Sequence, residues 1–465
     1  MSFLFTPPAG HRLSVARKLG FTVGDYACNL YWQSVSIFLL FFYTDVVGLS
    51  AGTAGLIYMI ASIFDGAIDP VMGAVADRTR TRRGRYRPYI LWGAIPVGLA
   101  FVLLYVRPPL EGLSLAAWML VAHLIFRVAY TALSIPYTSL NARITDSSAE
   151  RSTLAGFRMI FATLAGLTIA SQTQPLAAAL GGGDLGKGFT LAAGVFALVA
   201  TAIFPVVYLA TREPVDVEGE AAPTIRMSEY WSAVRGNTAF WAVMAGIAAA
   251  VICSTALGKS VLYYFKYYLH AESASRTALS LVAASGVLVI PAWIYVTKLI
   301  GKRAAWFAAV GWGLVGLTGF AFTDIREPGL MIAFLLFMHV ASLGLALTFW
   351  SMLPDTVEYG EWRTGLRAES FIFGLGQFFL KAALGVAAGI FGWSLDLVGF
   401  HPNVAQTPQT LQGMKAIMVA LPLAGLVLGG LAMLIYPMRK GVHEEIVEQL
   451  AARRAAPPEA VAEVP

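Results

Sequence analysis

Asp65 and Asp69 sit within Ile63-Phe64-Asp65-Gly66-Ala67-Ile68-Asp69-Pro70, a stretch with no other polar side chain. Four residues apart on a helix, they share one face. Two carboxylates that close in an apolar setting resist ionising together unless a cation lies between them. A reversible proton or sodium site requires this arrangement. The alternative for Asp69 is a kink or cap before Pro70, paired with an arginine.

A second pattern begins at Asp25, with Asn29, Trp32 and Gln33 following at helical spacing on an otherwise apolar stretch. A carboxylate, an amide and an indole on one face suit a hydroxylated ligand, with hydrogen bonds for its hydroxyls and a flat surface for a ring. The alternative is a packing stripe near a membrane interface. Arg158 and Lys381 also lie in apolar surroundings, and Gln377 stands one turn before Lys381. Either cation could neutralise a carboxylate or donate to a ligand oxygen, although Arg158 is close enough to Arg151 to be interfacial. Tyr130, Thr131, Ser134 and Thr138 share one side of a stretch containing Pro136; such hydroxyls either face a ligand or bond back to their own helix. Arg127, Lys259 and Lys266 lie in apolar stretches too. Lys266, inside Tyr263-Tyr264-Phe265-Lys266-Tyr267-Tyr268, reads as a snorkelling side chain in an aromatic belt.

The elements that must hold these residues are membrane helices. Of 465 residues, 57% are hydrophobic and 13% charged, about half the roughly 25% of a soluble domain, and the mean hydropathy is +0.68. Stretches near the ~20 apolar residues of a span recur at 19–48, 51–76, 88–107, 113–142, 152–178 and 188–210, and then at 239–269, 273–299, 304–323, 328–354, 367–398 and 412–437. This predicts an all-α membrane protein of twelve transmembrane helices. Residues 1–211 form an N-terminal six-helix half, 212–238 a cytoplasmic linker, 239–437 a C-terminal six-helix half and 438–465 a cytoplasmic tail. Basic residues crowd alternate loops, with the densest run from Arg78 to Arg87, which places both termini and the linker in the cytoplasm. The net charge of +6 is concentrated in those loops, so it does not point to nucleic acid. Gly73-Ala-Val-Ala-Asp77-Arg78 and Lys298-Leu-Ile-Gly301-Lys302-Arg303 close equivalent helices of the two halves. That layout resembles the major facilitator fold, whose substrate sites lie near the midplane between halves.

Enzyme-like strings do not hold up. Leu257-Gly258-Lys259-Ser260 lacks the earlier glycine of a phosphate-binding loop, His443-Glu444-Glu445 lacks the second histidine of a zinc protease motif, and Gly181-Gly182-Gly183-Asp184 reads as a turn. Cys28 and Cys253 sit inside apolar stretches, so no disulfide scaffold is expected. No enzyme and no cofactor is expected.

Several ordered motifs carry a family resemblance. They are Gly24-Asp25-Tyr-Ala, Phe42-Tyr43-Thr44-Asp45-Val-Val-Gly48, Asp65-x-x-x-Asp69-Pro70-Val-Met-Gly73, Asp77-Arg78-Thr-Arg80-Thr-Arg-Arg-Gly84-Arg-Tyr-Arg87-Pro88, and Pro354-Asp355-Thr-Val-Glu358-Tyr359-Gly360-Glu361-Trp-Arg363 running on to Arg367-Ala-Glu369-Ser370 and Lys381. From the first helix to the eleventh the chain resembles the glycoside–pentoside–hexuronide:cation symporter family. The resemblance implies cation-coupled transport of a glycoside, by a monomer in the bacterial inner membrane, with H+ or Na+ as the coupling ion. Asp65, Asp69 and Thr131 then match cation ligands, with sodium held at Asp65 and Asp69 if that is the ion and Lys381 close by. Asp25, Tyr130, Arg158, Gln377 and Lys381 match the sugar pocket, to which the stripes above add Asn29, Trp32, Ser134 and Thr138. Asp45, Asp77, Arg143, Asp355, Glu358, Glu361 and Arg367 match charged gate residues near the cytoplasmic ends.

Two departures bear on substrate and ion. Sugar-binding members of the family carry a second aspartate and a tryptophan on the fourth helix, where this chain has Ser134 and Thr138. With Arg158 and Lys381 kept, the pocket becomes more cationic and leaves room for an anionic glycoside. Ile68 replaces a polar residue of sodium-using relatives, and losing that side-chain oxygen favours protons. A lysophospholipid carrier of the same fold and a non-transporting solute sensor are the alternatives.

Overall fold

The computed structural model describes residues 13–144, 148–212, 231 and 234–455. Among the described residues there are thirteen α-helices and no strand. Helix α1 is Val15–Phe41, continued by a π-helical turn over Phe42–Val46. It is followed by α2 (Ala51–Arg78), α3 (Arg87–Leu104), α4 (Gly112–Ile144), α5 (Ser148–Gly181) and α6 (Leu185–Ala210). Then come α7 (Thr238–Tyr263, with a π-helical turn over Tyr264–Tyr268), α8 (Glu272–Ile300), α9 (Lys302–Phe322), α10 (Pro328–Thr364), α11 (Glu369–Leu397), α12 (Pro408–Leu434) and α13 (Val442–Ala455). The twelve expected spans correspond one to one with α1–α12. Eleven are long and apolar enough to cross a membrane; α1, which carries the polar stripe, falls short by that measure.

Local chemistry explains the breaks. Ser14, Ser50 and Asp184 cap α1, α2 and α6 by accepting from the backbone N–H groups of Arg17, Thr53 and Lys187. Gly182 and Gly183, both at positive φ, turn the chain between α5 and α6, as expected of that glycine run. Gly301, at φ 85°, separates α8 from α9. The tail holds more structure than expected, because α13 buries Ile446 and Leu450.

The contacts define two compact units that follow chain order only in part. One comprises Met1–Glu218, Val261–Ala284 and Gly392–Thr410; the other comprises Gly219–Ser260, Ser285–Phe391 and Leu411–Pro465. Residues 213–230, most of the expected linker, lie outside the described residues.

In the first unit α1 packs on α5 and α6, while α4 packs on α2 and α3. Phe38, Phe42, Phe101, Tyr105, Phe126 and Phe189 form an aromatic core. Ser34 and Tyr105 hydrogen-bond within it at 2.8 Å. In the second unit Trp306 is fully buried and donates to the carbonyl of Gly429 at 3.1 Å, and α13 is tied to α10 through Trp362 and Gln449 at 2.7 Å. Large apolar side chains cover much of the surface, with Phe322 at 88%, Leu288 at 79% and Leu209 at 78% exposure. Apolar faces of that extent suit lipid rather than water.

Close helix approach depends on small residues. A β-carbon on Gly188 would stand 2.2 Å from the Ala177 carbonyl oxygen, whereas one on Gly194, in the same helix, would meet nothing within 4 Å. Gly188→Leu is therefore expected to destabilise the protein by about 1–3 kcal/mol through overpacking, seen as a lower melting temperature in detergent. Gly194→Leu should leave the melting temperature near wild type.

Candidate functional site

Two clusters of charged side chains lie in the first unit. The first joins α2 to α4. Asp65 is wholly buried and Asp69 half-buried. The Thr131 hydroxyl lies 3.0 Å from Asp65 Oδ1 and 3.2 Å from Asp69 Oδ1; its single proton can serve only one carboxylate at a time. Helix α2 runs through Pro70 to Arg78, so Asp69 does not cap it. The arginine of this cluster meets Asp65 instead, with Arg127 donating through Nη1 to Asp65 Oδ2 at 3.1 Å. Arg127 Nε donates to His123 Nε2 at 3.2 Å, and Nη2 donates to Ser62 Oγ at 3.4 Å.

The second cluster centres on Asp25 of α1. Arg158 of α5 grips it in a bidentate pair, Nε to Oδ2 at 2.7 Å and Nη2 to Oδ1 at 3.1 Å. Tyr137 of α4 donates to Asp25 Oδ2 at 2.6 Å and its ring lies 5.6 Å from the guanidinium. Its hydroxyl also lies 3.0 Å from the Phe21 carbonyl. Arg158 is therefore an ion-pair partner rather than an interfacial side chain. Its charge is met by Asp25.

The stripe on α1 links the two clusters. Trp32 stacks on Tyr130 with ring centroids 6.2 Å apart, and the Arg127 guanidinium lies 5.4 Å from the Trp32 ring. Asn29 donates its amide to the backbone carbonyl of Asp25 at 2.8 Å. Thr138 is exposed and donates back to the Ser134 carbonyl at 2.9 Å, the bland role expected of such hydroxyls. Lys381 is half-buried and Gln377 exposed, both on α11 in the second unit.

The residues expected at gates fall in different places. Asp45 lies at the far end of α1 from Lys18, not near the end where the N-terminus enters. There its carboxylate accepts from Lys266 at 2.6 Å and from the Tyr267 hydroxyl. Asn403 donates to its backbone carbonyl at 2.7 Å. Lys266 is accordingly an ion-pair partner and not a snorkelling side chain. At the other end of α2, Asp77 accepts from Tyr86 at 2.6 Å; burial, reinforced by this carboxylate, pushes the Tyr86 phenol up to about 12. In the second unit, Asp355 accepts from Lys302 at 2.7 Å through both oxygens, and Glu358 is hydrogen-bonded to His443 of α13. Glu361 pairs with Arg367 at 2.9 Å; that hydrogen bond, joined by one from Glu369, raises the guanidinium above its ordinary value. The side chain of Arg143 lies outside the described residues.

Three contributors were not singled out as site residues from sequence: Arg127, His123 and Tyr137. Helical spacing sets each on the same helix as an expected site residue but does not show which neighbour it meets. Arg127 and His123 stand four and eight residues before Thr131, and Tyr137 stands seven after Tyr130.

Residues 20–440 match the family described as MFS/sugar transport protein. The chain is 31% identical to the isoprimeverose transporter of Lactiplantibacillus pentosus, over 91% of this chain and 89% of that one. It is 28% identical to the inner membrane symporter YicJ of Escherichia coli K12, over 94% and 95%. A solved structure of a bacterial homologue of the human drug peptide transporters PepT1 and PepT2 superposes with a TM-score of 0.67 at 12% identity, covering 94% of this chain and all of that one; that likeness is one of fold.

The Asp25–Arg158 pair is part-buried, so breaking it should cost about 1.5–3 kcal/mol. Asp25→Asn and Arg158→Gln are each expected to lower the melting temperature, and the double variant should lose less than their sum. Strictly additive losses in a double-mutant cycle would show that the two side chains are not coupled.

Proposed function

The chain belongs to the MFS/sugar transport family, a family of multi-pass membrane transporters and not of enzymes, and we propose that it carries a glycoside together with a proton by alternating access. One observation carries this reading: a carboxylate–hydroxyl cluster suited to a cation and a charged stripe suited to a sugar lie in one unit, joined by Trp32 and Tyr130. The chain's similarity to an isoprimeverose transporter and to an inner membrane symporter supports it. Both termini are taken to face the cytoplasm.

Asp25 and Arg158 orient each other, and together they offer acceptors and donors to sugar hydroxyls. Because the pair is balanced, this wall favours a neutral glycoside over an anionic one. Trp32 supplies the flat face, and Asn29, Tyr130 and Ser134 flank it. Lys381 and Gln377, on α11, are assigned to sugar binding on the family resemblance.

The cation belongs at Asp65, Asp69 and Thr131, and Ile68 offers it no side-chain oxygen, which favours a proton over sodium. Cation and sugar must each raise the other's affinity by the same factor. Trp32, stacked on Tyr130 beside the Arg127 guanidinium and carried on the same helix as Asp25, is the route for that coupling. Asp45, Asp77, Arg143, Asp355, Glu358, Glu361 and Arg367 are assigned to gates.

Two variants test the reading. Asp69→Asn is expected to abolish accumulation of glycoside against a gradient while glycoside exchange continues; undiminished accumulation would remove Asp69 from the coupling role. Asp25→Asn should weaken glycoside binding about tenfold or more, the loss of a charge-assisted hydrogen bond of about 1.5–3 kcal/mol. Binding is read as thermal stabilisation by a panel of neutral and uronic glycosides, and stabilisation by lysophospholipids alone would overturn the substrate class.

A further inference from the structure

Arg127 does at Asp65 what a bound metal ion would do. Its side chain is 2% exposed and that of Asp65 0%. The guanidinium places its charge 3.1 Å from Asp65 Oδ2, while Thr131 meets Oδ1 at 3.0 Å, so both oxygens of this carboxylate are engaged. The rest of the guanidinium is held as firmly. Nε donates to His123 Nε2, which must therefore be the unprotonated ring nitrogen, leaving the ring proton on Nδ1, 3.3 Å from the Tyr43 hydroxyl. Nη2 reaches Ser62, and the rings of Trp32 and Tyr58 lie 5.4 and 6.0 Å from the guanidinium carbon. Hydrogen bonds and rings from three helices fix one cation in one place.

We propose that Arg127 is a tethered substitute for a metal cation at Asp65, and that it excludes sodium and lithium from the Asp65–Asp69 pair. A sodium ion bridging Asp65 and Asp69 would stand a few ångströms from the guanidinium, in a setting where water does little to screen like charges. It would bind a carboxylate whose other oxygen already carries the desolvated guanidinium, so its charge is compensated before any metal arrives. This inference rests on the symport reading and narrows it: glycoside transport proceeds without sodium. It also assigns Arg127 as a specificity-determining residue, since removing the guanidinium leaves two carboxylates and a hydroxyl that a small cation can bridge.

The test is thermal unfolding of the full-length detergent-purified protein in sodium, lithium or choline chloride at equal ionic strength. Wild type, Arg127→Gln, Arg127→Met and the double variant Asp65→Asn/Arg127→Gln are compared. Wild type is expected to melt at the same temperature in all three salts. The single variants should melt lower in choline and recover several degrees in sodium, with saturation, because an ion that binds only the folded state stabilises it by mass action. The double variant should lose the sodium response. Saturable stabilisation of wild type by sodium would overturn the proposal, as would folded single variants indifferent to sodium. The wild-type result needs no variant, so the proposal stays open to refutation even if both single variants misfold. Glycoside panels run in choline chloride separate the two claims: no stabilising glycoside would count against the symport reading, whereas a glycoside that binds wild type only with sodium would count against the tethered cation.

Discussion

An ionised carboxylate buried among apolar helices must be met by opposite charge and hydrogen-bond donors, or it will not stay ionised. Asp65 is where this constraint binds hardest, since its side chain has no exposure at all. The surrounding architecture meets that demand. Helix α4 presents Arg127 and Thr131 one turn apart toward α2, Ser62 lies one turn before Asp65, and His123 steadies the guanidinium from the turn below. The aromatic rings around Arg127 keep water away from a charge they also favour. Asp25 solves the same problem with Arg158 and Tyr137 at a less buried position.

The two solutions differ in a way that matters for transport. Asp25 and Arg158 retain partial exposure, so a hydroxylated ligand can share their hydrogen bonds. Asp65 and Arg127 are closed off from solvent on both sides of the pair. Between them Trp32 touches Tyr130 on one side and Arg127 on the other. A ring settling on Trp32 would therefore press on the side chains packed against the Asp65 cluster. At the far end of α1, Asp45 with Lys266 and Tyr267 forms a third charged group.

Much of this was legible in the sequence, because membrane helices announce themselves by length and apolarity. The twelve spans, the shared face of Asp65 and Asp69, and the partnership of those acids with Thr131 all follow from short-range periodicity or from the family motifs. Arg127 was visible as a charge within a span, yet its role depends on which face of α4 meets α2, and spacing within one helix does not fix that. Tyr137 was hidden for a similar reason, since nothing local distinguishes it from a packing tyrosine until α1 brings Asp25 against it. Asp45 and Lys266 lie more than two hundred residues apart, so neither could be matched to the other from the chain alone. The helix α13 escaped notice because it is short and buries only Ile446 and Leu450, too little to read as a span.

The central claim is that a glycoside is driven by a proton at a site whose metal position the chain has filled with its own guanidinium. Reconstituted wild-type protein, given an imposed gradient and the glycoside that stabilises it best, tests this most directly. The account predicts uphill accumulation under an inward proton gradient without sodium, and none under an equal sodium gradient at uniform pH. Accumulation driven by the sodium gradient alone, with no response to the proton gradient, would contradict it.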